Sequence, residues 1–331
     1  MTAIKNEVKE DSKGQRARIV SLDQFRGFAI FGMILVNYLG YFEKIPETMK
    51  HPHYGMTFAN TIAPFFLIAV GMGFRMSIKN RIIKYGKRNS YLTAVKRYLI
   101  LIIIGIVLYG PDPVCSVWDA LVDIGFAGLL TLPFILSKKW IRIVLAFLYL
   151  LIYQSLFALT GYGEWTMKYS IDGGPIGILS WASILFFGTV LMDYLEELPR
   201  SEFIKHSLIG GFFLMILGYI LSLLNPQELW QFSQRSMTMA YPLLAAGLSF
   251  IVFVLFYWLN DIKKIEIPHL TLLGMNPLIM YILQNVLIEY HGEYLNRNSA
   301  VWIALCGFTV IYLICFAIAR YMHRNKLVVK I

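Results

Sequence analysis

Apolar and polar positions alternate along this chain in long blocks, without a fine period. Ten apolar blocks lie near 25–43, 57–78, 95–111, 117–136, 140–159, 175–194, 204–224, 238–259, 270–289 and 300–321. Charged, glycine- or proline-containing stretches separate them. An α-helix needs about 20 residues to cross the hydrocarbon of a bilayer. Each block approaches that length, with 95–111 the shortest. The pattern predicts an all-α polytopic membrane protein with ten transmembrane helices. It also predicts a tail over 1–24, a single membrane domain over 25–321 and a basic tail over 322–331. No repeat of fixed period, low-complexity run or soluble domain interrupts the blocks. The connections 44–56, 160–174 and 225–237 are short, so any chemistry must be built from helix ends and these loops.

Composition strengthens this reading. Of 331 residues, 57% are hydrophobic and 15% charged, against about 25% charged in an average soluble domain. Mean hydropathy is +0.60. Too few polar residues are present to cover so much apolar surface in water, which argues against a soluble enzyme, a disordered chain or a small disulfide scaffold. The net charge of +10 would suggest nucleic acid in a soluble protein. Its placement says otherwise. With ten spans, 23 lysines and arginines fall on the side of the N-terminus and five on the opposite side. The positive-inside rule then places both termini in the cytoplasm, and no nucleic-acid partner is implied. A charged tail precedes a full-length first span with no small-residue cleavage site, so that span is expected to remain as an anchor. Cys115, Cys306 and Cys315 form no CxxC pair, and no metal-ligand cluster is present.

Polar residues inside apolar blocks are costly and mark candidate sites. One group gathers toward the outer face. It comprises Asn37, His51 and His53, Asn60, Asp119 and Asp123, Gln284 and Asn285, then Glu289 and His291. The i,i+4 spacing of Asp119 and Asp123 puts both carboxylates on one helix face. Each has a plainer reading: solvated loop histidines, amides bonding between helices, and Asp119 as an N-cap after Pro113. A second group lies at the opposite ends. Asp23 and Arg26 are three apart, a spacing that permits an ion pair. Arg75 and Lys79 are four apart and share a face. They suit either a phosphate anchor or snorkelling cations. Gly71, Gly73, Gly210 and Gly211 read as close-packing positions.

Several of these residues sit in longer motifs. RIVSLDQFRGFAIFGMILVN, Arg18 to Asn37, resembles the opening of the heparan-α-glucosaminide N-acetyltransferase and YeiB-like membrane proteins. HPHYGMTFANTIAPFFLIAVG (51–71), NPQELWQFSQRSMTMAYPLLAA (225–246) and LGMNPLIMYILQN (273–285) are similar to further family motifs in the same order. VWDALVDIGFAGLLTLPF looks more like the YeiB-like branch. The matches span nearly the whole chain.

The resemblance implies a transmembrane acyltransferase of the plasma membrane, which takes acetyl from cytosolic acetyl-CoA and passes it to an amino sugar or envelope glycan on the far side. The family's catalytic histidine maps to His51, and its asparagine at the end of the first span to Asn37. The loop here is one residue short between His51 and Gly55, which leaves His53 as a second match. The acidic residue of the family's Ala-Asp pair is Asn60 in this chain. Asp23, Arg26, Arg75, Lys79 and Asn276 then form the acyl-CoA side. His53, Asn60, Asp119, Asp123, Gln284 and Asn285 form the acceptor side. Transfer by His51 as general base and transfer through an acetyl-histidine both remain open. So do N- and O-acetylation. The expected partners are the acyl-CoA donor, the glycan acceptor, the lipid bilayer and a second copy in a homodimer. Proton-coupled transport of a small molecule is the alternative that intramembrane carboxylates allow, although no inverted repeat supports it.

Overall fold

The computed structural model describes residues 19–112, 114, 117–292 and 294–327. The N-terminal tail through Arg18, Cys115 and the last four residues lie outside the described residues. Twelve α-helices appear in chain order, with no strand among the described residues. They are α1 (Val20–Leu39), α2 (Phe58–Tyr109), α3 (Ala120–Thr131), α4 (Lys139–Leu159), α5 (Tyr162–Tyr169), α6 (Gly174–Glu197), α7 (Arg200–Ser222), α8 (Gln227–Trp230), α9 (Ala240–Tyr257), α10 (Pro268–Met275), α11 (Pro277–Gly292) and α12 (Val301–Arg324). One π-helical turn, Trp258–Ile262, continues α9.

Six helices among the described residues are long and apolar enough to cross a membrane: α2, α4, α6, α7, α9 with its π-turn, and α12. The α10–α11 pair makes a seventh if its two halves, bent by 92°, are one crossing. The expected blocks differ from the helices in three places, each for a local reason. Blocks 57–78 and 95–111 lie in α2, a run of 52 residues broken by the non-helical backbone of Gly86 at φ 76°. Glycine is suited to that positive φ because it lacks a Cβ. The block 117–136 holds the short α3 and a 3₁₀ turn at Leu132–Phe134, with Pro133 in the turn. A proline cannot extend the ladder with an N–H. Block 270–289 breaks at Asn276, which leaves helical geometry at φ −128° and ψ 60°. Asn276 precedes Pro277, whose ring disfavours the α region for its neighbour.

The fold divides into two compact units. Among the described residues, unit 1 takes in His53–Gly55 and Leu67–Ile251; unit 2 takes in 19–52, Met56–Phe66 and 252–327. Within unit 1, α6 is the hub, packed against α3, α4 and α7. Its residues Trp181, Leu185, Phe186 and Met192 are buried. Gly188 lies against the Ile68 carbonyl, and Gly71 against that of Leu185, so a side chain at either would collide with backbone. Such close approach is how helices associate where lipid removes the hydrophobic drive between them.

Within unit 2, α1 packs on α10, α11 and α12. Gly27 abuts the Leu270 carbonyl, and Gly274 abuts that of Asp23. A reciprocal pair of glycines therefore brings α1 and α10 into backbone contact. Beside it runs a buried polar chain. Asn260 in the π-turn donates to Gln24 (3.0 Å), and Gln24 donates to Thr271 Oγ1 (3.1 Å).

Candidate active site

In unit 2 the loop between α1 and α2 is pinned by its own polar groups. Lys50 Nζ bonds Glu47 (2.7 Å) and the Glu43 carbonyl (3.0 Å), and Thr57 Oγ1 donates to the Lys50 carbonyl at 2.8 Å. His51 follows at the exposed surface, while Asn60 in the first turn of α2 is fully buried. His51 Nδ1 lies 3.0 Å from Asn60 Oδ1, and Thr57 Oγ1 lies 3.4 Å from the same oxygen. An amide oxygen accepts, so Nδ1 carries a hydrogen, and in the neutral ring the lone pair falls on Nε2. The partner thus selects the tautomer, as in many histidine sites. A neutral amide gives the imidazolium less support than a carboxylate would.

His53 has different surroundings, in unit 1. Arg235 Nη1 lies 3.2 Å from its Nδ1, and its carbonyl accepts from Ser233 Oγ at 2.8 Å.

Elsewhere in unit 2, Asn37 occupies the last turns of α1, half-buried. Its neighbour Tyr38 is buried and meets His291 of α11, with Oη 2.8 Å from Nδ1. Gly307 of α12 lies against the Tyr38 hydroxyl. Gln284 is fully buried, and its Nε2 is 3.4 Å from Asn285 Oδ1. Asn276 is buried at the break between α10 and α11, where Nδ2 donates to the Leu327 carbonyl at 3.1 Å. Asp23 and Arg26 form the local pair that their spacing permits, at 3.4 Å.

Unit 1 holds two further clusters. Asp119 caps α3, its carboxylate accepting from the Ala120 N–H. Asp123 lies one turn on, fully buried. Asp172, in the loop before α6, lies within charge–charge range of both. It accepts from Gln234 Nε2 at 3.0 Å. Burial, reinforced by the nearby Asp119 charge, pushes the Asp172 acid well above the usual carboxylate range, and the Gln234 bond offsets part of this.

The second cluster surrounds Asp193 on α6. Arg75 binds it in bidentate fashion, with Nε 2.8 Å from Oδ1 and Nη2 3.1 Å from Oδ2. Lys79 bonds Asp193 (2.7 Å) and Glu196 (2.9 Å), and Arg142 bonds the second Asp193 oxygen. Lys139 pairs with Glu197 at 2.7 Å. Arg75 and Lys79 do share a face, and they share it with carboxylates. With Asp193 only 1% exposed, four cations surround three carboxylates in one network, of whose members the sequence pattern marks Arg75 and Lys79 alone.

The sequence pattern does not mark Asp172, Asp193, Tyr38 or the Gln24–Asn260–Thr271 chain as candidates. Asp193 had a usable signal, as an acid inside the end of an apolar block. Asp172 had none, because it stands in an ordinary polar loop.

The fold and this loop define a class: an all-helical, multi-pass membrane protein with a histidine held by a buried amide after its first helix. The model of the heparan-alpha-glucosaminide N-acetyltransferase catalytic domain matches residues 18–204, more than half of the chain. The chain belongs to that family of membrane acetyltransferases. No curated protein sequence matches it.

Proposed function

We propose that this protein transfers an acetyl or longer acyl group from cytoplasmic acyl-CoA to a sugar or envelope glycan at the opposite face of the plasma membrane. The observation that carries the reading is the His51–Asn60 hydrogen bond, within the region matched by the family. It supports His51 over His53, whose ring faces a cation. In the neutral ring this bond leaves the lone pair on Nε2.

In the direct route, the acceptor nitrogen or oxygen attacks the thioester carbon and gives its proton to His51 Nε2. The C–S bond then breaks, and CoA leaves as a thiolate that takes up that proton. Asn37 supplies a hydrogen bond to the tetrahedral oxyanion. In the covalent route, His51 Nε2 attacks the thioester carbon and the C–S bond breaks to release CoA thiolate; the acceptor then takes the acyl group from the acyl-imidazole, and its proton passes to the thiolate. Asp23, Arg26, Arg75, Lys79 and Asn276 serve the donor side. The excess of cations over carboxylates around Asp193 supports a phosphate-bearing ligand there. His53, Asn60, Asp119, Asp123, Gln284 and Asn285 serve the acceptor side. The ten-span topology with both termini cytoplasmic, and a homodimer, belong to the same proposal.

The test is turnover of labelled acetyl-CoA by purified protein with a panel of sugars, beside folded His51→Ala and Asn37→Ala variants. Saturable, His51-dependent transfer or CoA release is expected. No binding of acetyl-CoA or longer acyl-CoAs would overturn the reading, and transport into sealed vesicles would then be measured.

A further inference from the structure

In unit 2, α12 carries a row of side chains that changes character along its length. Phe308, Tyr312, Phe316, Arg320 and Arg324 recur at every fourth position, so each neighbours the next on the helix surface. The three rings stack in sequence, Phe308 on Tyr312 with centroids 6.0 Å apart and Tyr312 on Phe316 at 6.3 Å. His269 of α10 stacks on Phe316 at 4.5 Å, and Phe31 of α1 meets Phe308 and Tyr312 edge-on. All three rings of the row are half-buried, which leaves part of each open to an apolar chain.

Where the rings end, Arg320, His323 and Arg324 line a cavity of about 290 Å³ together with Glu266, Thr271 and Leu272. The cavity is rich in uncommitted donors. Among the described residues, neither guanidinium has a hydrogen bond or ion pair, and Glu266 pairs with neither of them. Thr271 Oγ1 accepts from Gln24 at 3.1 Å. A hydroxyl that accepts in this way keeps its own hydrogen to donate. Lengths then decide what fits. From Phe308 to Phe316 the helix rises about 12 Å at ~1.5 Å per residue. One leaflet of hydrocarbon is about 15 Å deep, half of a core of ~30 Å. Arg320 and Arg324 stand about 6 and 12 Å further along the axis, at the depth of lipid headgroups. Snorkelling alone needs only water around such cations; here they wall a cavity against a second helix.

We propose that this cavity and row form a binding site for one anionic phospholipid, with its phosphate at Arg320, Arg324 and Thr271 and an acyl chain along Phe316, Tyr312 and Phe308. Guanidinium groups hold phosphate oxygens through paired N–H donors. Basic pockets between helices suit anionic headgroups for the same reason. Glu266 adds selection. A carboxylate in the wall repels a multiply charged phosphate and accepts from a hydroxyl beside a phosphodiester, as in a phosphoglycerol headgroup. None of the residues proposed for the acyl-CoA side lines the cavity, and the binding claim is independent of acyl transfer.

The experiment uses the purified full chain in detergent. Binding of dioleoyl phosphatidylglycerol and dioleoyl phosphatidylcholine is titrated by native mass spectrometry. The proteins are wild type, Arg320→Gln with Arg324→Gln, and Arg200→Gln with Lys205→Gln. Arg200 and Lys205 are exposed cations of unit 1, so the second pair controls for general surface charge. Saturable phosphatidylglycerol binding by wild type is expected, roughly tenfold or more tighter than phosphatidylcholine. It should fall to the phosphatidylcholine level in the Arg320 and Arg324 variant and persist in the control. Neither inorganic phosphate nor acetyl-CoA should displace the lipid. No saturable binding, equal binding of the two lipids, or an equal loss in the control would overturn the proposal. Displacement by inorganic phosphate would make this a site for free anions, and displacement by acetyl-CoA would make it part of the donor site. Either result, read on wild type alone, would overturn the proposal even if a variant failed to fold. Lipid binding without any acyl-CoA binding would overturn the proposed function and leave this site standing.

Discussion

At the scale of single residues, the reactive candidate and its partner differ in burial. His51 is exposed and Asn60 is fully buried, so the amide is fixed and the imidazole follows it. Replacing His51 with alanine removes a general base and is expected to lower turnover by ~10²–10⁴. Asn60→Asp puts a negative charge beside the imidazole and stabilises its protonated form. The acid limb of the pH–rate profile should then move to higher pH, which a kcat/KM profile would show. An unmoved limb would mean that Asn60 does not set the state of His51.

Asp172 allows a second expectation, with its sign worked out. Its acid is raised in the fold by burial and by Asp119, so the folded state holds a proton that the unfolded chain releases from about pH 4 upward. Stability from this group is present below the unfolded value. It is lost as pH rises toward the raised folded one. Asp172→Asn should flatten that decline in a series of thermal melts; an unchanged slope would remove Asp172 as its source.

At the scale of helices, two contacts set the packing. In unit 1, Asp193 gathers Arg75, Lys79 and Arg142 from α2 and α4 onto α6. Asp193→Asn leaves these cations without their shared anion. Breaking a buried pair on one side typically costs ~3–5 kcal/mol. A large fall in melting temperature is expected, and a fall near zero would show that Glu196 and Glu197 take over. In unit 2, the Gly27–Leu270 contact leaves no room for a Cβ. Gly27→Leu overpacks it and is expected to cost about 1–3 kcal/mol or more, since backbone must move. Guided by an apolar block, the eye reads 270–289 as one helix. The break at Asn276 is nevertheless legible, because a residue before proline is pushed out of the α region. Likewise Gly86 divides α2 at the middle of a basic stretch.

At the scale of the whole molecule, six helices among the described residues, by length and composition, or seven with the bent pair, are apolar enough to cross a membrane. The proposed ten crossings add α1, the second half of α2 and the short α3. Single cysteines placed in 44–56, 160–174 and 225–237 should be labelled by a membrane-impermeant thiol reagent from outside the cell. Cysteines near Lys138, Arg200 and Lys263 should be protected. Mixed labelling within either set would break the ten-span count.

Much of this protein is determined by sequence alone, because some physical constraints are local or one-dimensional. Apolar block length sets the membrane class. The asymmetry of 23 against five cations carries the topology proposal. The Arg18–Asn37 motif and the His51 loop fall within the region matched by the acetyltransferase family. Pair spacing along one helix foretold the Asp23–Arg26 contact. Tertiary structure decided the rest, because a hydrogen bond or ion pair depends on which helices meet. Asp193 is 118 residues from Arg75 and Asn260 is 236 from Gln24, separations that no periodicity encodes. Asp172 reads as a loop residue until the fold buries it beside Asp123. The structure likewise distinguished two neighbouring histidines, giving one a buried amide and the other a guanidinium.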